Sequence, residues 1–294
     1  MNRLFLTLSF AAIAIVGFCG QALADTIPYS YNPAVPIFNY HFPDSSSNLS
    51  TGTVTDLSTA GHNALPNNFT NWGLSTNVPI VGGNPLPGYS MDCGIYGDGK
   101  GLITNDLKLL TTQAVADYGG FVFDVWFYPT AYSTGSITNG ILSYAGTETI
   151  RLGNSGYIQF NISNNITGAY LIQTSSAVTL NTWYHVVGIF DTKGNKVETG
   201  TMANGKPGTY VKGDLSLYVN DTLIGKITNT KKDSQGDDLN RPFGVGRYSH
   251  ATTYDFSGLI YNPKVSFLIP EPSTLALLAG GLVGLLCYAW RKRR

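Results

Sequence analysis

The chain has 294 residues, 43% of them hydrophobic and 12% charged, with 34 glycines, 18 tyrosines and 14 phenylalanines, a composition that excludes a disordered polyelectrolyte. Only three glutamates occur, Glu148, Glu198 and Glu271, among abundant Gly, Thr, Asn, Tyr and Val; this is poor material for a helical bundle and good material for strands joined by turns. The formal charge is zero, but Arg3, Arg291, Lys292, Arg293 and Arg294 sit at the two ends and leave a body of 13 basic and 18 acidic residues, which argues against a nucleic-acid partner.

From the N-terminus, Arg3 is followed by an apolar run from Leu4 to Phe18 and by the small-residue pattern Ala22-Leu23-Ala24. Residues 1–24 read as a secretory signal peptide handed to the secretion machinery and cut after Ala24, with an uncleaved anchor as the alternative. The bulky Phe18 before Cys19 speaks against a lipoprotein site. A leader of residues 25–34 follows. Between Ile27 and Pro87 the chain is rich in Pro, Asn, Ser and Gly, so helix is not expected there.

Strand-length apolar runs then recur at 121–128, 140–144, 157–162, 183–190, 215–219, 223–227, 243–246 and 256–267, most of them separated by turn residues. Asn220-Asp221 between two of these runs predicts a β-hairpin, because both residues tolerate left-handed backbone. About a dozen strands with no amphipathic helix between them predict an all-β antiparallel sandwich. Cys93 is the one cysteine of the body, so no internal disulfide is expected.

An ordered set of segments carries a resemblance: Phe38-Asn39-Tyr40-His41-Phe42, the stretch from Val54 to Ala64, Phe121 to Pro129, Thr179 to Asp191, Leu217 to Asn220, and Phe256 to Ile260. Together these resemble the LamG-like jelly rolls of the concanavalin A-like lectin and glucanase superfamily, over about Val35 to Phe267. The resemblance implies one jelly-roll domain spanning 35–267. Relatives usually carry two acidic residues where this chain has Tyr261 and Asn262, followed here by Pro263, which is expected to interrupt the strand. The last of those acidic positions often contributes to a calcium site. With it absent, Asp56 is the candidate calcium ligand, and a turn-forming role is its alternative. No other cofactor is expected.

At the C-terminus Pro270-Glu271-Pro272 precedes an uncharged apolar stretch from Leu275 to Trp290 and the basic run Arg291-Lys292-Arg293-Arg294. As a helix the stretch would span roughly 24 Å, and its basic end would stay cytoplasmic. Residues 268–294 closely resemble the PEP-CTERM sorting signal, with motif 270–272, transmembrane helix 275–290 and basic tail 291–294. That resemblance implies an exosortase-type sorting protease as partner, a precursor held in the inner membrane, and a final place on a bacterial cell surface or in its extracellular matrix; a plain C-terminal anchor is the alternative.

No catalytic pattern emerges. Glucanases of this fold carry a Glu-x-Asp-x-x-Glu pattern, because acid and nucleophile must stand about 5 Å apart, and neither Glu148 nor Glu198 has that spacing. Elbow, zinc-protease, Cys-x-x-Cys and phosphate-loop motifs are absent as well. Strand alternation puts Trp183 and His185 on one face and Tyr184 on the other, with a structural role for His185. The expectation is a noncatalytic carbohydrate-binding or adhesive module, with extracellular polysaccharide as ligand and Tyr248, Tyr254 and Tyr261, near His250, as candidate binding residues. A purely structural envelope or matrix protein is the alternative, and a glycoside hydrolase a third reading.

Overall fold

The computed structural model describes residues 36–42, 54–58, 60–67, 73–94, 100–104, 109–132, 139–144, 147–164, 168–202, 205–234, 242–248 and 255–268. The signal peptide, the sorting motif, the apolar stretch 275–290 and the basic tail lie outside them. Among the described residues no helix is long and apolar enough to cross a membrane.

Strands dominate. The first seven are short: β1 (Pro36–Asn39), β2 (Ala64–Asn67), β3 (Gly73–Ser75), β4 (Ile80–Val81), β5 (Asn84–Pro85), β6 (Ser90–Asp92) and β7 (Gly101–Thr104). Then come β8 (Gly120–Pro129), β9 (Asn139–Tyr144), β10 (Glu148–Leu152), β11 (Ile158–Asn164), β12 (Gly168–Gln173) and β13 (Tyr184–Asp191). The chain continues with β14 (Glu198–Thr201), β15 (Pro207–Val219), β16 (Thr222–Asp233), β17 (Phe243–Val245) and β18 (Gly258–Phe267). Among the described residues one short helix, Thr112–Asp117, departs from the all-strand expectation; its first turn is capped when the Thr111 hydroxyl accepts from the Ala114 amide.

Two antiparallel sheets form a jelly-roll sandwich, as the strand-length runs and the family resemblance predict. Sheet I has the order β14-β15-β13-β8-β18-β6-β3, with β1 also on β18 and β16 also on β15; sheet II runs β12-β11-β10-β9-β17-β7-β2. β1, β2, β3 and β6 thus join the same two sheets as the strands from Gly101 onward, while β4 and β5 pair with each other. Alternation along β8 sends Phe121, Phe123, Val125 and Phe127 inward, all fully buried, because successive side chains of a strand point to opposite faces. Across the interface Phe123 meets Phe160 and Phe243, with ring centroids 6.0 and 5.8 Å apart.

Pro263 does not end its strand. β18 continues to Phe267 through a register shift between Tyr261 and Lys264, with Asn262 at φ 48°; the bulge leaves the proline outside the ladder while its carbonyl accepts from the Tyr40 amide at 3.1 Å. At the start of this strand only glycine fits: Gly258 has φ 139°, and a Cβ there would meet the Tyr128 carbonyl oxygen at 2.0 Å.

The two ends of the sandwich differ. β18 leaves toward the sorting tail beside the start of β8, where the Leu268 amide donates to the Gly120 carbonyl at 3.0 Å. The ten residues of β8 carry the chain about 33 Å to the opposite end. There β8, β12 and β15 finish and β11 and β13 begin.

Candidate functional site

At that far end a groove of about 560 Å³ opens between the sheets. Its polar side is Gln173 at the end of β12 and Thr174, Ser175 and Ser176 of the loop that follows; its apolar side is Tyr184 with the β15–β16 hairpin residues Val219, Leu223 and Ile224. None of the lining residues is charged.

Local bonds fix both walls. The Thr174 hydroxyl accepts from the Ile158 amide at 3.2 Å and donates to the Ser176 carbonyl at 2.7 Å. Val178 is held on both sides, its amide donating to the Gly156 carbonyl at 2.8 Å and its carbonyl accepting from the Tyr132 hydroxyl. Tyr184 stacks on Phe127 at 5.8 Å and accepts from the Thr179 amide at 2.8 Å, so its ring is a fixed surface rather than a swinging one. The hairpin turns at Asn220 and Asp221, with φ 48° and 65°, the left-handed pair that the sequence predicts. Uncharged polar groups facing an apolar wall suit a ligand with hydroxyl groups and hydrophobic faces.

His185 points the other way, onto the outer face of sheet I. Its ring stacks on Trp126 at 4.6 Å and 12°; Nε2 lies 2.9 Å from Asp124 Oδ1 and Nδ1 3.4 Å from Asp221 Oδ1. Burial pulls its pKa down, but the bonds and charges of Asp124 and Asp221 outweigh this and hold it above the ordinary 6.5.

Asp56 is 6% exposed and organises the loop from Asp56 to Asn63. Oδ1 accepts from the Asn39 and Ser58 amides, each at 2.8 Å. Oδ2 accepts from the Ser58 hydroxyl at 2.6 Å and the His62 amide at 2.9 Å. The carboxylate's four partners are all hydrogen-bond donors, the pattern of a turn-forming carboxylate. Among the described residues no group of three or more His, Cys, Asp or Glu is arranged to hold a metal.

Of the tyrosine candidates, Tyr248 and Tyr261 do not make a shared stacking surface. Tyr248, 7% exposed, follows β17 of sheet II and accepts from Arg151 Nη1 at 3.3 Å. Tyr261, 3% exposed, belongs to sheet I and donates to the Pro87 carbonyl at 2.7 Å. Amphipathic rings with buried faces and bonded hydroxyls do the ordinary work of packing. Tyr254 and His250 lie outside the described residues. Cys93 is fully buried, and burial first, then Asp92 and Asp255, push its thiol well above its ordinary value, so it is no nucleophile.

Residues 101–266 match the family described as the concanavalin A-like lectin/glucanases superfamily. The chain belongs to that superfamily. Residues 268–294 match the PEP-CTERM protein-sorting motif, which marks an exported protein processed at the membrane and implies recognition by an exosortase. No curated protein matches. Among solved structures, the superfamily fold is shared with domain 4 of a GH43 extracellular arabinanase from Geobacillus stearothermophilus in complex with arabinotriose. The two are 15% identical over 82% of this chain and 96% of that one, with a TM-score of 0.52. The binding domain of botulinum neurotoxin serotype D/C VPI 5993 is 15% identical, with a TM-score of 0.47, over 84% of this chain and 52% of that one. Enzymes and binding modules both occur in the superfamily, so the fold leaves the chemistry to the site.

Proposed function

We propose that the body is a noncatalytic module that binds a neutral glycan in the end groove, on a protein that an exosortase processes and that finishes on the cell surface or in the extracellular matrix. The observation that carries this reading is the uncharged groove, whose Gln, Ser and Thr side chains face Tyr184 and Leu223. A uronic acid or sialic acid would bring a carboxylate that no cation of this lining answers, at the desolvation cost that an unpaired charge incurs. The arabinotriose held in complex with the arabinanase domain is an uncharged oligosaccharide, which agrees with this choice of ligand class.

The carboxylates favour binding over hydrolysis. Glu148 is buried in sheet II, Glu198 stands on the edge strand β14 of sheet I, and no Asp or Glu lines the groove. A glycosidase needs two carboxyl groups flanking one bond. The groove also lies at the opposite end of the sandwich from Leu268, the last described residue before the sorting segment.

Calorimetric titration of the exported protein with arabinotriose and other neutral trisaccharides, and with a trigalacturonate, tests the reading. Binding is expected for a neutral sugar and absent for the uronate. Ser175→Trp, at an exposed position, should fill the groove and weaken binding about tenfold or more while changing stability by less than about 0.5 kcal/mol. Tight binding of trigalacturonate, or unchanged binding by Ser175→Trp, would discard the groove as the site.

Sorting has its own test. Replacing Pro270, Glu271 and Pro272 with Ala should leave export intact and stop maturation, read as a precursor mass that keeps Leu275 to Arg294. Mature wild-type protein that retains those residues would reduce the tail to an anchor.

A further inference from the structure

Tyr184 and His185 are neighbours on β13 with opposite duties. Tyr184 lines the groove, and His185 lies behind the hairpin that completes the same apolar wall. His185 and Asn220 are tied twice at this point: the His185 amide donates to the Asn220 side chain at Oδ1, 2.9 Å away, and the Asn220 amide donates to the His185 carbonyl at 2.8 Å. The ring adds the third tie, to Asp221, the other residue of the turn. Val219 immediately before this turn, and Leu223 and Ile224 just after it, are groove residues.

A neutral imidazole has one N–H and donates to one carboxylate; an imidazolium has two and serves both. The Asp124 contact is 2.9 Å and the Asp221 contact 3.4 Å. When the ring holds a single proton, the shorter bond to β8 keeps it and the turn loses its donor. Trp126 holds the ring plane by stacking, so the imidazole does not swing away to follow the turn.

We propose that His185 is the positioning residue of the groove: its protonated ring bridges Asp124 on β8 and Asp221 in the turn, and loss of that proton removes the third tie and loosens the wall that Val219, Leu223 and Ile224 build. This rests on the reading of the groove as the glycan site. The charged groups that face the ring are Asp124 from β8 and Asp221 from the hairpin; Lys264 of β18 stands opposite Asp124 in the ladder. His185 has a raised pKa in the folded protein, so the tie is complete below the ordinary value of about 6.5 and is lost as pH climbs through the raised one.

Hydrogen exchange of the Asn220–Gly225 amides in the exported protein, corrected for intrinsic rates from pH 5.5 to 9, is the deciding measurement, run beside an NMR titration of the His185 ring. Protection of these amides should fall about tenfold through the pH at which the ring titrates, the loss expected for one hydrogen bond to a charged group. Asp221→Asn, at an exposed turn position whose left-handed backbone asparagine also adopts, should show low and pH-independent protection. In parallel, the dissociation constant for arabinotriose should rise over the same interval in wild type and stay flat in Asp221→Asn. Hairpin protection that ignores the His185 titration, or an Asp221→Asn profile identical to wild type, would overturn the proposal. Failure of arabinotriose to bind at every pH would count against the groove as a site for that sugar, while the exchange profile still decides the tie.

Discussion

Asp56→Ala is expected to lower the thermal midpoint of the folded body by about 10 °C, with or without calcium present. The carboxylate accepts from three backbone amides, those of Asn39, Ser58 and His62, and from the Ser58 hydroxyl. Alanine leaves all four donors without that acceptor. At about 1 kcal/mol or more for each bond lost, the cost is about 3–4 kcal/mol, and a domain of this size loses about 2–4 °C for each kcal/mol. The damage should spread, because the Leu57 amide donates to the Asn39 carbonyl at 2.9 Å and so joins the loop to β1. Asp56→Asn should fall in between: its amide group would face the His62 N–H donor to donor, while the Ser58 hydroxyl can turn and accept. A calcium ligand would behave differently. At a calcium concentration 100 times its dissociation constant the native state would gain about 2.7 kcal/mol, raising the midpoint by several degrees in wild type and not in Asp56→Ala. Scanning calorimetry in calcium and in EDTA separates the two roles, and a calcium-dependent rise that Asp56→Ala removes would refute the loop-organising account.

What the sequence made legible was local. The apolar run from Trp183 to Phe190 has strand length, and β13 occupies Tyr184–Asp191. The Asn220-Asp221 turn needs left-handed backbone at two adjacent positions, and both have it. Such features depend on neighbours a few residues apart, where period and turn chemistry act. The strands between residues 64 and 92 are two to four residues long, too short to display alternation. The helix Thr112–Asp117 escaped for the same reason, with six residues giving less than two turns.

The site was less legible, because it is assembled by topology. The groove joins Ile158, the loop from Gln173 to Val178, Tyr184, and the hairpin from Val219 to Ile224. Its polar wall is an ordinary Ser and Thr stretch by sequence, and it becomes a wall only because β12 ends beside the β15–β16 hairpin. Tyr248 and Tyr261 looked like a stacking surface because they are close in sequence. β17 and β18 carry them into different sheets, where burial of the rings wins. Asp56 was visible as a residue of consequence, but its four donors come from positions 39, 58 and 62 and needed the fold to identify them.

Lys232 and Glu148 join the two sheets by a contact between residues far apart in the chain, and breaking it should give a loss as large as that at Asp56. Lys232 on β16 of sheet I is fully buried and Glu148 on β10 of sheet II is 1% exposed, with Nζ and Oε1 3.6 Å apart. Nζ also lies 3.2 Å from the Asp233 carbonyl and 3.5 Å from the Thr112 hydroxyl, and the Thr147 hydroxyl donates to Glu148 Oε2 at 2.5 Å. Removing one partner leaves the other charge in the interior, which costs about 3–5 kcal/mol, whereas replacing both by apolar groups of similar volume is often neutral or favourable. Lys232→Met is therefore expected to lower the midpoint by about 10 °C, and Glu148→Leu by a similar amount. The double variant should recover most of the loss, and denaturant unfolding of the four proteins closes the cycle with a coupling of about 2 kcal/mol or more. Single losses that simply add would mean that the two sheets are not joined by this pair. The same variants bear on catalysis: Glu148 is held by a lysine and a threonine away from the groove, so Glu148→Leu in the Lys232→Met background should fold and bind glycan as wild type does, and a polysaccharide-cleaving activity lost in that stable double variant would make Glu148 catalytic after all.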